Sequence, residues 1–204
     1  MTLGIIMDTA LLLATLGFII PMCFSPGPNN VLCAAHGAQH GFRRTIPLIA
    51  GMAIGWSLLG LFVGAATSFI ENNESFFELL TIIGAAYIAY LSFKLATAPA
   101  LSEDFEGGDR LGILTGVVLQ VVNGKAWIHF LLLMTSFGGL FGVGFTSKAM
   151  LVLLNLFFGL PAVMTWAYSG NLLRKTFSSS SSSIILNRSM GILLFSVAIW
   201  IVVH

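Results

Sequence analysis

With 204 residues, of which 57% are hydrophobic and 8% charged, the chain lies far from soluble domains, where about 25% of residues carry charge. This composition excludes a soluble enzyme, and a net charge of +1 with no basic stripe excludes a nucleic-acid partner. What remains is an integral membrane protein, with room for one transmembrane domain over residues 1–204 and for no sizeable module outside the bilayer.

A crossing needs about 20 apolar residues, and charges and turn residues divide the chain into six such stretches. The expected fold is therefore all-α, with six transmembrane helices. The first span covers about residues 9–35 and is interrupted by Ser25-Pro26-Gly27-Pro28-Asn29-Asn30. Residues 1–20 contain no Lys or Arg, and Asp8 is acidic, which favours a retained span over a cleaved signal peptide. The second span, residues 46–70, is free of charge. The third, residues 76–96, reaches full length when Glu78 and Lys94 snorkel to the interfaces. The fourth, residues 111–133, is interrupted by Gln120-Val121-Val122-Asn123-Gly124-Lys125, and the fifth and sixth cover residues 149–173 and 184–203. The loop at 99–109 and the serine run at 178–183 read as flexible connectors.

Arg43, Arg44, Lys94, Arg110, Arg174, Lys175 and Arg188 flank the loops after spans one, three and five, while Lys148 stands alone on the other side. The positive-inside rule then places those loops in the cytoplasm and both termini outside. An odd number of spans per half is compatible with a 3+3 inverted repeat, with the broken spans one and four as counterparts. Only the two breaks, each bearing an Asn, point to that symmetry.

Hydrocarbon offers no water to unpaired amides, so broken backbone at membrane depth survives where it is buried in protein or lines a polar cavity. Breaks in two halves of a chain are the best sequence pointer to a transport site. Pro26 and Pro28 lack amide hydrogens and free carbonyls of the preceding turn, while the restarted helix offers orphan amides near Asn29 and Asn30 and the positive end of its dipole. That end suits an anion such as an amino-acid carboxylate. A plain proline kink is the alternative.

Lys125 follows Arg110 by 15 residues, about 22 Å of helix in a hydrocarbon core about 30 Å thick. A lysine at such depth costs about 2.5–3.5 kcal/mol to insert and should face the protein interior. It is expected to bind the substrate carboxylate, with Gln120 and Asn123 as neutral hydrogen-bond partners; pairing with freed carbonyls of span one is the structural alternative. In an unbroken helix Lys125 would point about 200° away from Asn123, so unwinding at Gly124 is needed to turn both toward one cavity. His129 shares the face of Lys125 and is a candidate for proton coupling, as is Asp8; each has a bland reading, as an interior hydrogen-bonded histidine and a solvated terminal residue. The expected site is thus Pro26, Gly27, Pro28, Asn29, Asn30, Gln120, Asn123 and Lys125. His36 and His40, at i, i+4 but without a third ligand, read as loop residues and not as a metal site. No metal or other cofactor is expected.

The residues Ser25-Pro26-Gly27-Pro28-Asn29-Asn30, His40-Gly41-Phe42-Arg43, Gly84-Ala85-Ala86-Tyr87-Ile88, Phe93-Lys94-Leu95-Ala96-Thr97 and Leu119 through Lys125 resemble those of the LysE/RhtB amino-acid exporters, most closely the branch that exports cysteine and O-acetylserine. Where that family often has Asn-Pro-Lys, this chain has Asn123-Gly124-Lys125. The resemblance implies a transporter, not an enzyme, in the bacterial inner membrane, exporting small neutral amino acids from the cytoplasm by alternating access. No phosphate-binding loop is present, so secondary transport is expected. Exporters of homoserine, threonine or basic amino acids remain alternatives, as does a transmembrane thiol-disulfide electron carrier using Cys23 and Cys33. Those two thiols would lie about 15 Å apart on a continuous helix, beyond disulfide reach. Gly51-x-x-x-Gly55 and Gly60-x-x-x-Gly64 permit close helix approach, in a homodimer or within one subunit.

Overall fold

The computed structural model describes residues 9–24, 27–71, 82, 86, 89–97, 111–176 and 179–203. Asp8, Ser25, Pro26, most of the expected third span and the loop at 99–109 lie outside the described residues. The chain forms α1 (Thr9–Phe24), α2 (Pro28–His40), α3 (Phe42–Glu71), α4 (Ile113–Val121), α5 (Gly124–Phe137), α6 (Phe145–Thr176) and α7 (Ser180–Val203), with further helical residues at 89–96. The described residues contain no strand.

Among them, Phe42–Thr67 and Phe145–Leu173 are helices long and apolar enough to cross a membrane, the first kinked near its end at Ala66 (φ −106°, ψ 15°). The pairs α1–α2 and α4–α5 bend by 42° and 63° and bring the number of candidate crossings to as many as four. The breaks thus fall where the prolines and Gly124 stand. α4 ends at Val121, Asn123 takes an extended conformation (φ −89°, ψ 96°), and α5 restarts at Gly124. At the first break Gly27 is extended, and α2 restarts with Pro28, whose missing amide hydrogen costs nothing in the first helical turn.

Close helix contact is built on small residues, as expected where lipid is as apolar as the side chains. A side chain at Gly37 would strike the Ala167 carbonyl and one at Gly170 the Ala34 carbonyl, so α2 and α6 meet backbone to backbone. α3 and α4 do the same, through Gly51 against Ile113 and Gly116 against Leu48 and Met52. Gly55 faces Val117 and Gln120, and Gly60 faces Phe130 and Val152. These positions of the two glycine motifs therefore serve packing within the subunit. Large apolar side chains such as Leu13, Leu58, Leu114, Leu153 and Phe157 are instead exposed on the outer faces. A soluble monomer rarely presents so much apolar surface, whereas hydrocarbon solvates it.

Two sequence expectations need correction. His36 and His40 are not loop residues: both are buried within α2, which ends only at Gly41, whose φ of 83° favours glycine. Leu111 N–H donates to His36 Nε2 (3.2 Å), so Nδ1 carries the proton given to Thr45 Oγ1 (2.9 Å), and the Thr45 hydroxyl donates to the Gly41 carbonyl (3.0 Å). This chain of bonds ties the α2–α3 corner to the start of α4. The serine run is likewise not all connector, because Ser180 opens α7. Ser179 Oγ accepts from Ser182 N–H (3.3 Å), the N-cap role for which serine is favoured.

Candidate functional site

The two breaks face one another. A cavity of about 70 Å³ lies between α1, α2, α3, α4, α5 and α6, and its wall includes Gly27, Pro28, Asn29, Asn30, Gln120, Asn123 and Lys125. A single water needs only about 10–15 Å³ by the same measure, so the cavity has room for more than one. Of the site residues expected from sequence, Pro26 and Asp8 fall outside the described residues. His129 is near but does not line the cavity.

Each break is held open by a side chain from just beyond it. Asn30 Nδ2 donates across the first gap to the Cys23 carbonyl (2.8 Å), and Trp166 Nε1 reaches the Phe24 carbonyl from α6 (3.1 Å). Trp127 Nε1 donates across the second gap to the Val121 carbonyl (2.7 Å). Carbonyls that the breaks remove from helical pairing are thereby satisfied inside protein, as apolar surroundings require. The amides at the restarts are left differently: neither Gly27 before α2 nor Asn123 before α5 gives a side-chain cap. Two helix N-termini, each carrying positive partial charge, therefore border one cavity.

Asn29 Nδ2 donates to Gln120 Oε1 (2.9 Å), a direct bridge between the two breaks. That bond leaves Asn29 Oδ1 and Gln120 Nε2 buried without a partner in the structure, and Asn123 Oδ1 is in the same state. Gln120 is wholly buried and Asn123 nearly so. Buried polar atoms are normally satisfied, and these three, one donor and two acceptors, belong to side chains on the wall of a single cavity. Lys125 lies across the first break: a methyl group at Gly27 would sit 3.1 Å from its Nζ and 3.2 Å from its Cδ. Glycine there makes room for the lysine stem, and the ammonium of one broken span is brought against the backbone of the other.

The rest of the wall is apolar and sulfur-bearing, formed by Met22, Cys23, Ile49, Met52, Ala53, Trp56, Leu156, Gly159, Leu160 and Val163. Among the described residues no Asp or Glu lines it, and the chain's acidic side chains all lie outside those described. Cys23 reaches the cavity, whereas Cys33 is fully buried with its thiol 3.5 Å from Met52 Sδ; both are free. Behind Trp56 sits a polar set that sequence reasoning missed. Trp56 Nε1 donates to Asn155 Oδ1 (2.7 Å), and Asn155 Nδ2 donates to His129 Nε2 (2.5 Å). The His129 proton is then on Nδ1, which is buried without a partner, and Phe18 stacks on the ring at 5.1 Å. Asn155 gave a signal in the sequence, being a polar residue deep in the charge-free fifth span. Trp56, in the middle of the second span and far from an interface belt, gave another.

No solved structure matches the chain. Among curated proteins it is 33% identical over 132 residues to the cysteine/O-acetylserine efflux protein of Salmonella choleraesuis, and equally so to that of Salmonella typhi. It is 31% identical over the same length to the protein of that name from Escherichia coli K12. Each alignment covers 64% of this chain and 67% of the relative. The family model described as LysE type translocator matches residues 20–204, a stretch that takes in both breaks, the cavity between them and every helix after α1. The chain therefore belongs to the LysE type translocator family.

Proposed function

We propose that the protein is a secondary exporter of small neutral amino acids, with cysteine and O-acetylserine as favoured substrates, and that the cavity between the breaks binds them. One observation carries this reading: unpartnered amide atoms of Asn29, Gln120 and Asn123 share a cavity with Lys125 and two uncapped helix N-termini. A zwitterion fits that pattern. Its carboxylate takes Lys125 Nζ, Gln120 Nε2 and the positive helix ends, and its ammonium takes Asn29 Oδ1 and Asn123 Oδ1. The side chain then lies against the apolar, sulfur-bearing wall. A thiol-disulfide carrier is disfavoured, because Cys33 points to Met52 and not into the cavity.

In this reading the chain crosses the bacterial inner membrane six times with both termini outside, and α1–α2 and α4–α5 are matching broken spans of a 3+3 inverted repeat. Alternating access is movement of one repeat against the other about the cavity. Proton coupling, where it occurs, runs through His129, which touches the cavity wall by way of Asn155 and Trp56. The efflux activity named for the relatives supports the substrate class.

Purified protein in liposomes tests the proposal with radiolabelled cysteine, O-acetylserine, homoserine, threonine and lysine under imposed pH and voltage gradients. Saturable movement of the small neutral amino acids without ATP, and none of lysine, is the expected result. Failure to move any of the panel would remove the proposal.

A further inference from the structure

Most of the described glycines in these helices have a recognisable structural cause; Gly17 and Gly159 have none, and of these two only Gly159 lines the cavity. At Gly37, Gly51, Gly116 and Gly170 a side chain would collide with the backbone of a neighbouring helix. Gly159, in the interior of α6, meets no such constraint: a methyl group there would lie 3.6 Å from Cys23 Sγ and 3.8 Å from Asn155 Oδ1, ordinary contact distances. Its φ is not in the left-handed region, either. Glycine weakens a helix interior relative to alanine, so neither packing nor backbone geometry explains its place. What Gly159 does is leave space, because it lines the cavity on the apolar side beside Cys23, Leu156 and Leu160.

We infer that Gly159 is a specificity-determining residue, whose missing side chain sets the length of substrate side chain that the cavity admits. The inference rests on the proposed amino-acid site and adds to it a single position that limits size. A zwitterion held at its charged end by Lys125 and the three amides directs its side chain toward the wall that Gly159 shares with Cys23. An added methyl group narrows that wall without disturbing the polar end, 3.8 Å being the closest approach to any amide. Discrimination in an apolar pocket by one methylene amounts to about 10–200-fold.

The test is equilibrium binding of alanine, cysteine, O-acetylserine and methionine to the purified full chain as wild type, Gly159→Ala, Gly159→Val and Gly17→Ala. Gly17 faces outward with nothing within 4 Å of an added methyl, so it controls for the helix effect alone. Gly159→Ala should unfold at a temperature no lower than wild type. It should weaken binding of O-acetylserine relative to alanine by about 10–200-fold, and Gly159→Val should extend the loss to cysteine. Gly17→Ala should leave the ratios unchanged. If folded Gly159 variants keep the wild-type order and ratios while Lys125→Met abolishes binding, the size-setting role is wrong and the site stands. If wild type binds none of the four, the site itself falls and this inference with it.

Discussion

Replacing Trp127 by phenylalanine removes one hydrogen-bond donor and keeps most of a buried aromatic side chain. Trp127 is 3% exposed, and its ring packs edge-on against Phe62 with centroids 5.9 Å apart. Its Nε1–H is 2.7 Å from the Val121 carbonyl, the last carbonyl of α4. In Trp127→Phe that carbonyl sits in a low-dielectric break without the indole, and orphaning a buried acceptor costs about 1–3 kcal/mol. For a chain of this length each kcal/mol moves the unfolding midpoint by about 2–4 °C, so the expected fall is roughly 2–12 °C. A fluorogenic thiol reagent provides the assay, since Cys23 and Cys33 are both free and buried and react as the chain opens. An unchanged midpoint would refute the reasoning, because the break would then be held by something other than the tryptophan.

Gly51→Val should prevent α3 from approaching Ile113 and lower the yield of folded protein, an overpacking cost of about 1–3 kcal/mol or more; the check is the monodisperse fraction after purification, compared with Gly17→Val. Asn29→Ala and Gln120→Ala should show a coupling energy of roughly 0.5–1.5 kcal/mol in a double-mutant cycle on unfolding, and strict additivity would argue against the 2.9 Å bridge. In a chain with Cys23 and Cys33 replaced by serine, single cysteines at Ser181 and Asn72 should label from the cytoplasmic and external sides respectively, and the reverse pattern would overturn the orientation.

The breaks were readable in sequence because proline, glycine and amide side chains are conspicuous inside apolar runs. Pro28 and Gly124 fall at the first positions of their restarted helices, where local chemistry alone places them. The two long helices were readable from their charge-free apolar runs: residues 46–70 and 149–173 were expected, and Phe42–Glu71, kinked at Ala66, and Phe145–Thr176 are found. The opposite wall of the cavity was not readable. Leu156, Gly159, Leu160 and Val163 look like any lipid-facing run until α6 is packed against α2, and that packing depends on Gly37 and Gly170 matching each other across 133 positions. His36 was misread because a histidine near a basic loop looks solvated, yet the Leu111 amide and Thr45 give it a buried partner on each ring nitrogen. The Trp56–Asn155–His129 set needed three helices to be brought together before it became a unit.

Transport by Lys125→Met in liposomes tests the central claim most directly. Removing the ammonium relieves an insertion cost of about 2.5–3.5 kcal/mol, so the variant should insert and purify at least as well as wild type. Uptake and counterflow of labelled cysteine and O-acetylserine should nevertheless fall to the level of empty liposomes. Wild-type transport by the inserted Lys125→Met variant would contradict the account, because the substrate carboxylate would then be held somewhere other than where the two breaks meet.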